Sequence, residues 1–138
     1  MTIPNVQLFS LEEANELLAR LRPLVERLVE QRRRFRVREE RLAEIRGAVL
    51  GNGGRIDSRE EDALRRELAQ SSEVLADLVG EIHAVGAQVK DVDMGLLDFP
   101  ARHPDGEVVM LCWRLGEDEI GFWHGLEDGF AGRKPLPF

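Results

Sequence analysis

The only cysteine of the chain, Cys112, and one of its three histidines, His124, fall in the stretch Val108-Val-Met-Leu-Cys-Trp-Arg-Leu-Gly-Glu-Asp-Glu-Ile-Gly-Phe-Trp-His124, which also holds both tryptophans, Trp113 and Trp123. A thiol and an imidazole brought together would make either a nucleophile with its base or two donors for a divalent transition metal. Asp98, Glu117 or Glu119 would supply the carboxylate that either chemistry wants. Each residue also has a plainer reading. A free cysteine is often just a small buried hydrophobe, and a core histidine commonly bonds a carboxylate or carbonyl. The choice turns on whether the two side chains share a face.

Strand register decides that. Leu96 to Phe99, Val108 to Leu115 and Ile120 to His124 are short apolar runs separated by His-Pro-Asp-Gly106 and Gly116-Glu-Asp-Glu119, both turn signals, so a three-stranded antiparallel meander is predicted. A tight second turn on Glu117 and Asp118 sets Gly116 against Glu119, Leu115 against Ile120, Trp113 against Phe122 and Leu111 against His124. Because side chains alternate, Val109, Leu111, Trp113, Leu115, Ile120, Phe122 and His124 then form one face. If the first turn closes around His103 to Asp105 with Phe99 facing Val109, Leu97 and Phe99 join that face. Leu96, Asp98, Val108, Met110, Cys112, Arg114 and Trp123 form the other, which is too apolar for water. This register separates His124 from Cys112, and a slip of one residue would unite them. Asp98, flanked by Leu97 and Phe99, needs a partner, for which Arg114 is predicted; Arg114 would also lower the pKa of Cys112. His83 and His103 read as structural. Asp91 and Asp93 read as helix-end and turn carboxylates, since their spacing lacks the rest of a calcium loop. Phosphate-loop, dinucleotide, paired-cysteine zinc and serine-elbow motifs are missing from the sequence.

The elements that must carry this sheet are helical. Ser10-Leu-Glu-Glu13 is a capping box, and Ala14, Leu21, Leu28, Phe35, Leu42 and Val49 recur every seven residues, widened by Leu17, Leu18, Leu24, Val25 and Ile45. The spacing predicts one helix of about forty residues, with a bend near Ala19 to Pro23. Glycines between 47 and 54 reverse the chain, and Ser58-Arg-Glu-Glu61 caps a second helix. Its stripe Leu64, Leu68, Ser71, Leu75, Leu78, Ile82, Val85 and Val89 runs to about Lys90. The fold class is therefore α+β: a long antiparallel helical hairpin over 10–90, packed with the β-meander and tail of 91–138, in one domain spanning 1–138. The tail from Gly129 to Phe138 is a candidate cover for the second sheet face through Phe130, Leu136 and Phe138.

Of the net charge of −7, residues 91–138 carry most, with 4 basic against 10 acidic side chains, while 1–90 are nearly balanced at 15 against 16. Such a surface does not attract nucleic acid as a whole. Seven arginines between 32 and 46 offer a phosphate patch over Arg32 to Arg38, but Glu39, Glu40 and Glu44 interleave with them, which favours a solvated helix surface. A lone thiol suits a reducing cytoplasm, and the N-terminus reads as no signal segment, so a soluble cytoplasmic protein is expected.

Lys-Asp-Val-Asp-Met-Gly-Leu-Leu-Asp-Phe-Pro100, Leu-Cys-Trp-Arg-Leu-Gly-Glu117, Trp-His124, Gly-Phe-Ala-Gly-Arg-Lys-Pro-Leu136 and the Phe-Ser-Leu-Glu-Glu-Ala-Asn entry to the first helix together resemble a bacterial family catalogued as domain of unknown function twenty-two-oh-three. The resemblance implies a small single-domain protein with no assigned activity or cofactor, sometimes named for cell division because of its coiled-coil-like front half. It draws attention to Asp98, Cys112, Trp113, Arg114, Glu117, His124 and Arg133, and with Trp123 these form the candidate functional cluster. Three functions stay open. The first is a non-enzymatic interaction module that self-associates as a homodimer through the hairpin or the Cys112 and Trp123 face. The second is a metal- or thiol-dependent enzyme, or a metal-binding protein, using Cys112, His124 and one of Asp98, Glu117 or Glu119. The third is nucleic-acid binding through Arg32 to Arg38. No organic cofactor and no membrane contact are predicted; a divalent transition metal is the one inorganic ligand the residues admit.

Overall fold

The computed structural model describes residues 6–51 and 58–138. Helix α1 spans Leu11–Gly51 and α2 Ser58–Ala84; five strands follow, β1 Gln88–Asp91, β2 Leu96–Arg102, β3 Val108–Arg114, β4 Phe122–Gly125 and β5 Lys134–Pro135. The α+β class stands, but the sheet has five strands in the order β1-β2-β3-β4-β5 rather than three.

Helix α1 begins as its sequence dictates. The Ser10 amide donates to Glu13 Oε1 and the Glu13 amide to Ser10 Oγ, each at 3.1 Å, so two donors that the helix leaves orphaned are satisfied reciprocally. The helix continues through Pro23. Its buried stripe is Ala14, Leu18, Leu21, Val25 and Leu28, at steps of four and three, against Leu78 and Ile82 of α2 and the sheet residues Leu97, Phe99, Leu111 and Trp113. At about 1.5–3 kcal/mol for each large apolar side chain buried, this first half anchors the helix. Beyond Leu28 no described α1 residue is fully buried, and the hairpin is laced there by ion pairs. Arg38 pairs with Glu67, Arg41 with Glu60 and Arg46 with Glu61, tying the two helices together. Residues 52–54 of the predicted glycine-rich reversal lie outside the described residues.

Helix α2 stops earlier than its stripe suggests. Gly86, at φ +97°, donates its amide to the His83 carbonyl at 3.0 Å, and a Cβ there would come 3.0 Å from the Phe9 ring. Val89, read as the last rung of the helical stripe, instead faces Leu97 across β1 and β2. A single valine four residues after Val85 satisfies either period, and the left-handed glycine between them is what ends the helix.

The first hairpin keeps the expected faces with a shifted register. Phe99 pairs with Leu111 rather than Val109, so Leu97, Phe99, Ala101, Val109, Leu111 and Trp113 still point at the helices. A shift of two residues preserves side-chain parity. The second reversal breaks it. Cys112 pairs with Phe122, Leu111 with Trp123 and Met110 with His124, one residue out of step with the prediction. Trp123 thereby joins the helix-facing side, while Phe122 and His124 cross to the face of Asp98 and Cys112.

The slip has a physical origin in residues 115–121, which form a tethered loop instead of a two-residue turn. Arg22 of α1 donates to the carbonyls of Glu117 at 3.2 Å and Asp118 at 2.6 Å. The Ile120 amide donates to Asn15 Oδ1 at 2.9 Å, and the Leu136 amide to the Gly121 carbonyl at 2.9 Å. Ile120 is buried in the core ahead of β4. The face that looked too apolar for water is covered in part by the chain's own segment 126–133, where Phe130 and Arg133 lie, whereas Phe138 packs on Trp123 and His103.

Candidate metal centre

Asp98 of β2, Cys112 of β3 and His124 of β4 are carried on three adjacent strands. Asp98 and Cys112 are direct cross-strand partners, and His124 lies opposite Met110, one step along the same face. All three are buried, at 2%, 0% and 3% exposure. One donor atom from each, a carboxylate oxygen, the thiol sulfur and a ring nitrogen, lies within 4.8 Å of the other two.

Hydrogen bonding fixes what the imidazole can do. His124 Nδ1 sits 2.7 Å from the Gly125 carbonyl, which can only accept, so Nδ1 carries the hydrogen. The other nitrogen, Nε2, then turns its lone pair toward Asp98 Oδ1 at 3.0 Å. A carboxylate oxygen and an unprotonated ring nitrogen repel at that distance. The contact therefore requires a proton between them, carried by the ring or by the carboxyl, or a metal ion. Anchoring the distal nitrogen on a backbone carbonyl is also how metal-ligating histidines are oriented.

Cys112 is a poor free nucleophile. Burial, and next the negative charge of Asp98, push its thiol up to about 12 from 9.0, while the neighbouring Arg133 works in the opposite direction. In the metal-free folded protein, alkylation by iodoacetamide at pH 8 is expected to be far slower than for an unfolded chain, and to keep accelerating with pH past 9 rather than levelling off. Stability carries the matching sign. Below pH 9 both states hold the proton; between 9 and about 12 only the folded state does, so stability falls as pH rises through that window. Denaturation midpoints at pH 8 and pH 10, compared between the protein and its Cys112→Ser variant, measure the difference.

Arg133 buttresses the sulfur strand. Its guanidinium lies 4.0 Å from the Phe122 ring centroid and 4.8 Å from that of Phe130. One terminal nitrogen donates to both Glu117 oxygens, at 2.6 and 2.9 Å, and to the Cys112 carbonyl at 3.3 Å. Its Nε is buried and has no hydrogen-bond partner among the described residues.

The remaining candidates separate. Trp113 is fully buried on the opposite face, donating Nε1 to the Glu117 carbonyl at 2.9 Å beneath Arg22. Trp123 lies on that opposite side too, stacked with His103, Phe138 and Lys134. Arg114 is not the partner of Asp98; it pairs across from Leu96 at the exposed end of β3, and His124 takes the carboxylate instead. Glu117 serves Arg133 and the Arg114 amide, and among the described residues no contact places Glu119 at the cluster. His83 accepts the Val89 amide and His103 the Asp105 amide, both structural roles. Each arginine of the run has an ion-pair partner, five guanidinium groups sharing three carboxylates: Arg32 and Arg36 pair with Asp93, Arg33 and Arg34 with Glu30, and Arg38 with Glu67.

Sequence reasoning gave no role to Lys90 or Leu126, which line a pocket of about 280 Å³ that opens on Asp98 and His124, together with Asp91, Leu96, Met110 and Phe130. The signal available for Lys90 was its position between Val89 and Asp91, but only the sheet pairing reveals the bulge there.

A family model described as Uncharacterized conserved protein (DUF2203) matches residues 7–136. Neither the curated proteins nor the solved structures gave a match.

Proposed function

The chain belongs to the DUF2203 family, and we propose that this member binds a divalent transition metal, zinc by the chemistry of its donors, through Asp98, Cys112 and His124. The observation that carries the reading is the convergence of these three buried donors within 4.8 Å. Donors about 2.1 Å from a common tetrahedral ion stand about 3.4 Å apart, so adjustments on the order of 1 Å would form the site. A thiolate, an imidazole and a carboxylate suit zinc, whereas calcium and magnesium prefer oxygen alone. The ion would take the place of the proton between Asp98 and His124 and displace the thiol proton of Cys112, which makes binding proton-releasing. Arg133 would set a positive charge and an unused donor beside the thiolate.

Three protein ligands leave one position of a tetrahedral ion for water or substrate, and the 280 Å³ pocket reaches Asp98 and His124 from outside. That arrangement supports metal-assisted chemistry on a small molecule, with a metal-bound water of lowered pKa as the reactive group. A metal-free thiol enzyme is disfavoured by the raised pKa and full burial of Cys112. The self-association reading loses the reason first given for it, since segment 126–133 already lies on the second sheet face; Val37 and Leu50, exposed on the outer hairpin, are what still speak for it. The ion pairs of the arginine run likewise weaken the nucleic-acid reading. Competition of the purified protein against a chromogenic chelator tests the proposal. One zinc per chain, bound more weakly as pH falls, is expected; no uptake at micromolar zinc would refute it.

A further inference from the structure

Strand β1 contains an irregularity whose effect falls on the pocket. Val89 pairs with Leu97 and Asp91 with Leu96, so Lys90 is an extra residue opposite no partner. In an unbroken ladder Lys90 and Asp91 would point to opposite faces. The bulge lets both line the pocket, and re-aiming a side chain beside a site is a recurrent use of bulges. Lys90 is exposed and makes no ion pair among the described residues, whereas Asp98 and His124 are buried, which puts the ammonium at the mouth and these two donors at the floor. Between them the wall is apolar: Leu96, Met110 and Phe130, with Leu126 left 52% exposed at the rim.

We infer that this pocket takes a small aliphatic monocarboxylate, its head on Lys90 and its hydrocarbon body along Leu96, Met110, Leu126 and Phe130. One cation with Asp91 beside it favours a single negative charge; a phosphate dianion would face the aspartate without a second cation. The inference rests on the metal-site reading only for what lies at the floor, so the two can fail separately.

Butyrate and its isosteric neutral amide, butyramide, are the probes, titrated into the isotopically labelled protein and followed by amide shifts in NMR spectra. Butyrate is expected to move the resonances of Lys90, Leu126 and Phe130 and to bind about fivefold more tightly than butyramide, the worth of one partly exposed ion pair. Lys90→Met should equalise the two probes, Lys90→Arg should retain the preference, and neither should alter zinc stoichiometry. Equal binding of the two probes to the unaltered protein, a preference that survives Lys90→Met, or shifts confined to another surface would overturn the inference. A retained butyrate preference in a protein that takes up no zinc would support it while refuting the metal reading.

Discussion

Asp98→Ala is expected to destabilise the metal-free protein by about 1–3 kcal/mol in urea unfolding, the cost of stripping one partner from a buried hydrogen bond. His124 would be left 3% exposed, with its Nδ1 hydrogen committed to Gly125 and its Nε2 stripped of the Asp98 oxygen. Asp98→Asn separates structure from chemistry. The asparagine amide can donate to a neutral Nε2, so well under half of that loss is expected. Its neutral amide is nevertheless a weak ligand, and zinc affinity should fall as far as in the alanine variant. Equal destabilisation by both substitutions would show that the bond to Nε2 is not what holds the pair.

Cys112→Ser is expected to lower zinc affinity at least a hundredfold. Removing groups that merely support a ligand already costs about 10–100-fold, and this change removes the soft donor itself. The metal-free fold should tolerate it within about 1.5 kcal/mol, because a hydroxyl is close in size and can also donate to the Asp98 carboxylate. Affinity measured by chelator competition, alongside urea midpoints of the same preparations, checks both halves. Unchanged zinc binding by Cys112→Ser would place the ion elsewhere.

The parts of this fold that are local were legible in the sequence. Ser10 and Glu13 announce the start of α1, and Ala14, Leu21 and Leu28 mark its buried stripe, because helix capping and periodicity act over a few residues. The assignment of Leu97, Phe99, Leu111 and Trp113 to the core also survives, since an error of two in register leaves parity intact. The site itself depended on an odd or even count. Gly116-Glu-Asp-Glu119 has the composition of a tight turn, yet its backbone is held by Arg22 and Asn15 of α1 and by the tail at Leu136, groups distant in sequence. Tertiary contacts lengthened the loop, parity changed, and His124 moved to the face of Cys112. The same non-locality hid β1, where Gly86 and the pairing of Val89 with Leu97 override a helical stripe. Arg114 illustrates the reverse error: its charge suited Asp98, but the register leaves it at the open end of β3.

Substitution of cobalt(II) tests the central claim most directly, because a bound thiolate gives an intense near-ultraviolet sulfur-to-cobalt absorption and a tetrahedral site gives strong visible bands. One equivalent of cobalt should produce both in the unaltered protein, with the ultraviolet feature absent from Cys112→Ser and both absent from His124→Ala. A pale octahedral spectrum, the same in all three proteins, would mean that Asp98, Cys112 and His124 share a buried hydrogen-bond network and no ion.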